Sequence, residues 1–247
     1  MSGVHRKYDV VVFGAGYAGL TAAIELLRKG KRVLLVEQEP GISPKSYYGG
    51  VGDEGLVYLS SEWIPYLEAS GLSPLRRDEK GAWMYGMAVI AGLVSRFYEL
   101  GGLLVLDSMI EPIFVFDNEK GFKLTGAEIK EFGGDLSDTR FVVEADVFID
   151  TTFQANLANT VIDRLKLEVP VNGYGPIVPG SREVVDRTGW LISGVLLAGL
   201  SVSMVVGSPR PFPDIGPLLG SGARAAEIVL KGRNAYDNSL KIYPGII

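Results

Sequence analysis

The sequence contains no cysteine, which excludes disulfides, thiolate nucleophiles, iron–sulfur clusters and a sulfur atom donated by the protein itself. Its single histidine, His5, sits in the polar lead SGVHRK, where a solvated terminal side chain is expected. No metal site built on histidine is therefore expected. Positive charge is not in excess: 24 Lys and Arg stand against 29 Asp and Glu, a formal net charge of -5, so a nucleic-acid partner is not expected. No block of like charges makes a tail or a membrane-surface patch. A secretory leader is not expected either, because GAGYAG breaks the first apolar run. Trp190 to Gly207 is long and uncharged, but Gly194, Gly199 and Gly207 interrupt it. It reads as a buried strand ending in a turn, not as a spanning helix. What remains is ordinary globular composition, 47% hydrophobic and 21% charged over 247 residues, enough for a substantial core. A cytoplasmic protein with a small-molecule ligand, and neither nucleic acid nor membrane as partner, is the expectation.

YDVVVF (Tyr8 to Phe13) is a continuous β-branched run, the pattern of a strand covered on both faces. GAGYAG follows, then LTAAIELLRK with Ala23, Ile24 and Leu27 on one helical face, then the second apolar strand RVLLVE. Beyond a glycine-rich loop, Pro40 to Gly55, a short helix capped by Ser60 or Ser61 is expected through Glu68. A longer helix is expected over Met87 to Leu100. Leu103 to Asp107 reads as a strand, and Ile113 to Phe116 with Gly121 to Ala127 as a hairpin around DNEKG. RFVVEADVFID (Arg140 to Asp150) reads as a strand leading into a helix over Ala155 to Leu165. Leu196 to Leu200 is the last core strand, and Gly220 to Gly232 the closing helix. Trp83 and Tyr85 are expected in the core. The fold class expected is α/β: one Rossmann-like FAD/NAD(P)-binding domain over residues 1–247, with a parallel central sheet, helices and a small antiparallel β insertion at about 103–127.

The chemistry begins at Gly14, Gly16 and Gly19, which fit G-x-G-x-x-G between a strand and a helix. The first glycine permits the turn, the second admits a pyrophosphate to the backbone, and the third lets helix and strand pack closely. The helix N-terminus offers amides and partial positive charge to phosphates. Glu37 ends the second strand at close to the ~20 residues beyond the motif where an acid binds ribose hydroxyls. The pattern points to an ADP-containing dinucleotide, and the acid disfavours a 2′-phosphate, so FAD or NAD is expected over NADP. Arg210, between prolines in GSPRPFPDIGPLLGSG, is either an exposed loop arginine or a bidentate site for a carboxylate or phosphate. Gly220 and Gly222 are either ordinary helix-start residues or part of a helix N-terminus facing the same ligand. The loop carboxylates Asp53, Glu54, Asp135 and Asp138 read mostly as solvated. In FIDTTFQANL, Asp150 is placed to orient a loop whose Thr151, Thr152, Phe153 and Gln154 offer no obvious acid, base or metal ligand.

Taken together, GAGYAGLTAA, LLVEQ, the glycines Gly49, Gly50, Gly52 and Gly55, VEADVFIDTT and AGLSVSMVVGSPRPFPDIGPLLGSGARAAEIVL resemble the thiazole synthase family of thiamin biosynthesis, in its archaeal size. The resemblance covers nearly the whole length, within the two-dinucleotide-binding flavoprotein fold. It implies NAD binding, assembly into a homo-oligomeric ring, iron-dependent formation of an adenylated thiazole from NAD, glycine and sulfide, and Arg210 as the residue holding a glycine-derived carboxylate. The sequence departs from the family where it matters chemically. Phe153 and Gln154 stand where the family has Gly-His, whose histidine helps hold iron, and no sulfur-donor cysteine exists. The resemblance therefore implies a diverged relative with altered or lost thiazole-forming activity; the alternative is an FAD-dependent oxidoreductase. The cofactor-binding residues expected are Gly14, Ala15, Gly16, Ala18, Gly19, Glu37, Gln38, Gly50, Ile110, Thr152, Gly199, Leu200 and Gly220. Arg210 is expected to bind substrate, and no catalytic or metal-binding residue is assigned.

Overall fold

The computed structural model describes residues 6–42, 55–68, 71–117, 121–131, 140–169 and 171–232. His5, Gly49, Gly50, Gly52, Asp53, Glu54, Asp135 and Asp138 lie outside the described residues. Strand β1 (Arg6–Phe13) leads into helix α1 (Tyr17–Arg28) and back to strand β2 (Val33–Val36), the unit read from the apolar runs. Val10 to Phe13 and all of β2 are buried, because layers cover both faces of the sheet. Next come β3 (Leu56–Ser60), a 3₁₀ turn, α2 (Ile64–Glu68), β4 (Arg76–Arg77), β5 (Gly81–Tyr85), α3 (Gly86–Glu99) and β6 (Leu103–Val105). A long hairpin, β7 (Ser108–Asp117) and β8 (Gly121–Glu131), precedes β9 (Arg140–Asp150) and α4 (Asn156–Leu165). The chain closes with α5 (Glu183–Asp186), β10 (Gly189–Ile192), β11 (Val195–Leu197), α6 (Leu200–Val206) and α7 (Gly216–Lys231).

The main sheet runs β10-β11-β9-β1-β2-β6, with β7 and β8 continuing from the start of β9. β11, β9, β1, β2 and β6 are parallel, and their ends align in one row: Leu197 beside Asp150, Asp150 beside Phe13, Phe13 beside Val36, Val36 beside Val105. β2 lies on one side of β1 and β9 on the other, so the chain changes direction at β1. In open α/β sheets that point, beyond the carboxyl ends, is where a ligand crevice forms. One core layer packs α1, α3 and α7 on the sheet through fully buried Leu20, Ile24, Leu93, Phe97 and Leu219. Each such side chain contributes about 1.5–3 kcal/mol of burial. The opposite layer gathers Phe13, Leu34, Leu124, Ile129, Phe148 and Val161 beneath α4 and the hairpin.

Several sequence expectations shift. The hairpin spans Ser108–Asp117 and Gly121–Glu131, longer than its most apolar stretches, because β8 also pairs with β9 from Gly126 to Lys130. A second sheet, order β3-β5-β4, was not expected. Its β3 alternates buried Val57 and Leu59 with partly exposed neighbours, a two-residue period hidden by its short length. The strand expected at Leu103 to Asp107 stops at Val105. The segment from Trp190 to Gly207 is two short antiparallel strands followed by α6, and among the described residues no helix is long and apolar enough to cross a membrane. The closing helix starts at Gly216 with Pro217 in its first turn, four residues earlier than expected. Proline lacks the N–H that a first turn leaves unbonded anyway. Tyr85 is 49% exposed, not core, because it is the last residue of β5, where the chain turns into α3. Ser60 occupies the position before the 3₁₀ turn without a side-chain capping bond.

Candidate functional site

The cleft lies over the aligned strand ends, starting from the turn after β1. At Gly19 a Cβ would collide with the Gly14 carbonyl and lie 2.7 Å from Thr151 Oγ1, so only glycine lets α1 sit this close to the turn. The Thr151 hydroxyl reaches the carbonyl oxygens of Phe13 (3.0 Å) and Gly14 (2.9 Å), pinning the end of β9 against the turn. The Glu37 carboxylate bridges two backbone amides, accepting from Ala15 (2.7 Å) and Glu39 (3.0 Å). A carboxylate is thus held beside the N-terminus of α1, on the lining of the cleft. Next to it, Asn156 Nδ2 donates to Gln38 Oε1 at 2.6 Å.

FIDTTFQANL folds around Asp150. This carboxylate is fully buried and accepts from Thr152 N (2.8 Å), Thr152 Oγ1 (2.7 Å) and Ala158 N (2.8 Å). Thr152 Oγ1 in turn accepts from Asn156 N at 2.8 Å. Asp150 and Thr152 therefore satisfy the open amides of α4, a task that Ala155, in left-handed conformation (φ 51) and with no side-chain capping bond, cannot perform. Burial pushes the Asp150 carboxyl up to about 6, against these hydrogen bonds, which favour the charged form. The chemistry of Asp150 is thus structural: it shapes the loop.

The opposite wall comes from the C-terminal segment. Gly199 has φ +61 and ψ -134, a region that side chains avoid, and it turns β11 into α6 so that Leu200 faces the cleft. Its amide donates to Ser221 Oγ at 2.6 Å. Thr188 Oγ1 donates to Val184 O (2.7 Å) and lies 2.6 Å from Ser221 Oγ, so Ser221 must donate to Thr188. One directed chain of buried bonds fixes the turn. The cavity, about 470 Å³, is lined by Gly14, Ala15, Gly16, Tyr17, Ala18, Glu37, Gln38, Glu39 and Gly41 on one side. Ile90, Thr151, Thr152, Phe153, Gln154, Asn156, Leu200, Phe212 and Leu218 complete it. The Tyr17 hydroxyl is buried without a hydrogen-bond partner among the described residues, and burial pushes its ionisation well up.

Among the residues expected to bind cofactor, Gly14, Ala15, Gly16, Ala18, Glu37, Gln38, Thr152 and Leu200 line this cleft. Gly19 and Gly199 shape it from behind. Ile110 lines a neighbouring cavity instead. Gly220 lies inside α7, packed against Trp63 and Val185, so it is not at a helix start, nor is Gly222. Gly50 lies outside the described residues. Arg210 is not on the cleft wall: its Nε donates to Gly175 O (3.2 Å) and its guanidinium stands 5.1 Å over the Tyr174 ring. Tyr174 stacks on Phe153, centroids 4.4 Å apart, and donates its hydroxyl to Phe153 O. Arg210 is thus one aromatic ring behind the cleft edge. Tyr17 and Asn156 could have been found, as neighbours of the glycine motif and the Asp150 loop. Ile90, Phe212 and Leu218 arrive from distant segments and left no local signal.

The FAD binding domain family model matches residues 9–52, the segment containing most of β1, with α1, β2 and Glu37. Thiamine thiazole synthase from Archaeoglobus fulgidus is 29% identical over 239 residues, covering 91% of this chain and 87% of that protein. The Thermotoga maritima thiamine thiazole synthase is 28% identical, with 90% and 88% covered. Among solved structures, Thermovibrio ammonificans THI4 has a TM-score of 0.82 at 20% identity, over 92% of this chain and 90% of that one. A geranylgeranyl bacteriochlorophyll reductase-like protein from Thermoplasma acidophilum has a TM-score of 0.63 at 14% identity, over 96% and 81%; at these identities the structural likeness speaks for the fold alone. Along almost its whole length the chain is thus similar to the thiamine thiazole synthases, and it has their fold, with an FAD-binding domain match at its N-terminal Rossmann-like unit.

Proposed function

We propose that the cleft binds an ADP-containing dinucleotide, FAD in preference to NAD, and that the protein is a thiazole-synthase-like relative whose thiazole-forming activity is altered or lost. The observation that carries the reading is the Glu37 carboxylate held 2.7 Å from the Ala15 amide at the N-terminus of α1. It places a ribose-hydroxyl acceptor beside amides suited to a pyrophosphate. The dinucleotide fits the residues present: a Cβ built at Gly16 meets no atom within 4 Å, so the backbone there is open to a close-lying phosphate. Glu37 would hold the ribose, the Gly14–Gly16 turn and the start of α1 the phosphates, with Thr152 and Leu200 beside the remainder. Flavin, when bound, supplies two-electron redox chemistry; the protein's share is binding, orientation and exclusion of water. The FAD-domain match over residues 9–52 supports flavin over nicotinamide.

Iron fits poorly. Among the described residues no three His, Cys, Asp or Glu side chains converge on one point. Phe153 and Gln154, at the positions the resemblance assigns to Gly-His, offer at best one neutral amide oxygen. No step is therefore routed through a metal. A second reading, an FAD-dependent oxidoreductase with a substrate unrelated to thiazole, is supported by the same FAD-domain match.

The test is to purify the protein without added cofactor, denature it, and identify the released molecule by absorbance and mass. Released FAD supports flavin binding, and bleaching of its absorbance by a substrate or reduced nicotinamide favours the oxidoreductase. Released NAD or an adenylated thiazole would overturn the flavin preference. Iron-dependent thiazole formation from NAD, glycine and sulfide would overturn the proposed loss of activity.

A further inference from the structure

A second cavity, of about 240 Å³, opens beside the cleft. Gln38 and Asn156 line both, so their hydrogen-bonded pair stands at the junction. The floor of the side cavity is apolar, from Phe13, Met109 and Ile110. Its wall is helix α4, which presents Asn156, Asn159, Thr160 and Asp163. These are spaced i, i+3, i+4 and i+7, one complete polar face, while Leu157, Ala158, Val161 and Ile162 form the buried face. An apolar floor beside a polar wall of two amides, a hydroxyl and a carboxyl suits a flat heteroaromatic ring with a polar edge.

The Gln38–Asn156 pair has two unused groups. Asn156 Nδ2 donates to Gln38 Oε1 at 2.6 Å, which leaves the Gln38 Nε2 donor and the Asn156 Oδ1 acceptor without partners among the described residues. Gln38 directly follows the acid proposed to hold the ribose, so the base attached to that ribose is within reach of the junction. We propose that the Gln38–Asn156 pair reads the base edge of the bound dinucleotide, selecting a 6-aminopurine over a 6-ketopurine. The Nε2 donor matches ring nitrogen N1 of adenine and the Oδ1 acceptor matches its 6-amino group. Hypoxanthine presents a proton at N1 and a carbonyl at position 6, so against the two amides as oriented here it would set donor against donor and acceptor against acceptor, and pairing with it would require both amides to turn over together. A site built to hydrogen-bond one edge rejects its reverse through the unmet pairs. This inference rests on the dinucleotide reading of the cleft and adds the residues that set base specificity.

The test is calorimetric titration of the purified protein with ADP-ribose and with its hypoxanthine counterpart, IDP-ribose. The wild-type protein is expected to bind ADP-ribose on the order of 10–100-fold more tightly. Asn156→Leu and Gln38→Leu are each expected to pull that ratio towards one, with thermal melts checking that each variant folds. Equal affinity of the wild-type protein for both ligands overturns the base-reading pair while leaving the dinucleotide cleft standing. No binding of either ligand overturns both. Discrimination that survives in folded variants assigns specificity elsewhere and overturns the role given to Gln38 and Asn156. The wild-type comparison needs no variant, so a misfolded mutant cannot shelter the proposal.

Discussion

At the scale of single residues, the site depends on contacts that tolerate almost no added volume or changed charge. Gly19→Ala would press a methyl group into the Gly14 carbonyl and against Thr151 Oγ1. Neither atom belongs to a flexible side-chain end, so the turn or the helix must move. Overpacking of this kind costs about 1–3 kcal/mol, and the urea midpoint should fall accordingly, with dinucleotide affinity lost as the turn opens. An unchanged midpoint would mean that α1 shifts freely and that the glycine is not required. Glu37→Ala tests charge rather than volume. It frees the amides of Ala15 and Glu39 and removes the acceptor proposed for the ribose hydroxyls. Hydrogen bonds to a charged group contribute about 1.5–3 kcal/mol, so affinity for ADP-ribose should drop roughly 10–100-fold by titration calorimetry. Affinity within a factor of two of wild type would place the ribose elsewhere.

At the scale of elements, α4 shows how a buried acid serves architecture. The folded chain keeps the Asp150 proton up to about pH 6, whereas the unfolded chain releases it near its ordinary value of 3.8. The raised value means that the group favours folding below about pH 4 and loses that contribution as pH rises to about 6, then stays level. The difference between about 6 in the folded chain and 3.8 in the unfolded one corresponds to ~3 kcal/mol. Asp150→Asn cannot titrate and also turns an amide donor towards Ala158 N. The stability advantage of wild type over this variant, measured by denaturant unfolding, should therefore shrink between pH 4 and 6.5. An advantage that grows with pH would show that the capping bonds outweigh burial. The same elements show what a sequence discloses. The β1-α1-β2 unit, Glu37 and the strand ending at Asp150 were legible because burial on both faces leaves unbroken apolar runs and because the glycine spacing is specific. The start of α7 was not, since its Gly-Pro-Leu-Leu opening resembles loop composition. The capping role of Asp150 was only half legible: its place at a strand end was visible, but its bond to Ala158 exists only once the helix folds back. The position of Arg210 depends on its bond to Gly175, 35 residues away, and on the neighbouring Tyr174 ring, contacts that no local pattern announces.

At the scale of the whole molecule, the cleft is assembled from parts distant in sequence: the ends of β1, β2 and β9, the starts of α1, α6 and α7, and Ile90 of α3. A ligand seated there touches both the first strand and the last helix, so unfolding of either ejects it and binding should stabilise the fold as a unit. A ligand present at 100 times its Kd adds about 2.7 kcal/mol to the unfolding free energy. For a chain of this size each kcal/mol moves the melting temperature by roughly 2–4 °C, so an increase of roughly 5–11 °C is expected. FAD should produce it at lower concentration than NAD, and Glu37→Ala should weaken both shifts, because each dinucleotide carries the same ADP half. A shift with NAD but none with FAD would reverse the cofactor preference while keeping the dinucleotide cleft. If neither ligand moves the melting temperature at millimolar concentration, the glycine turn and Glu37 form a Rossmann-like frame that holds no dinucleotide, and the proposed function falls with it.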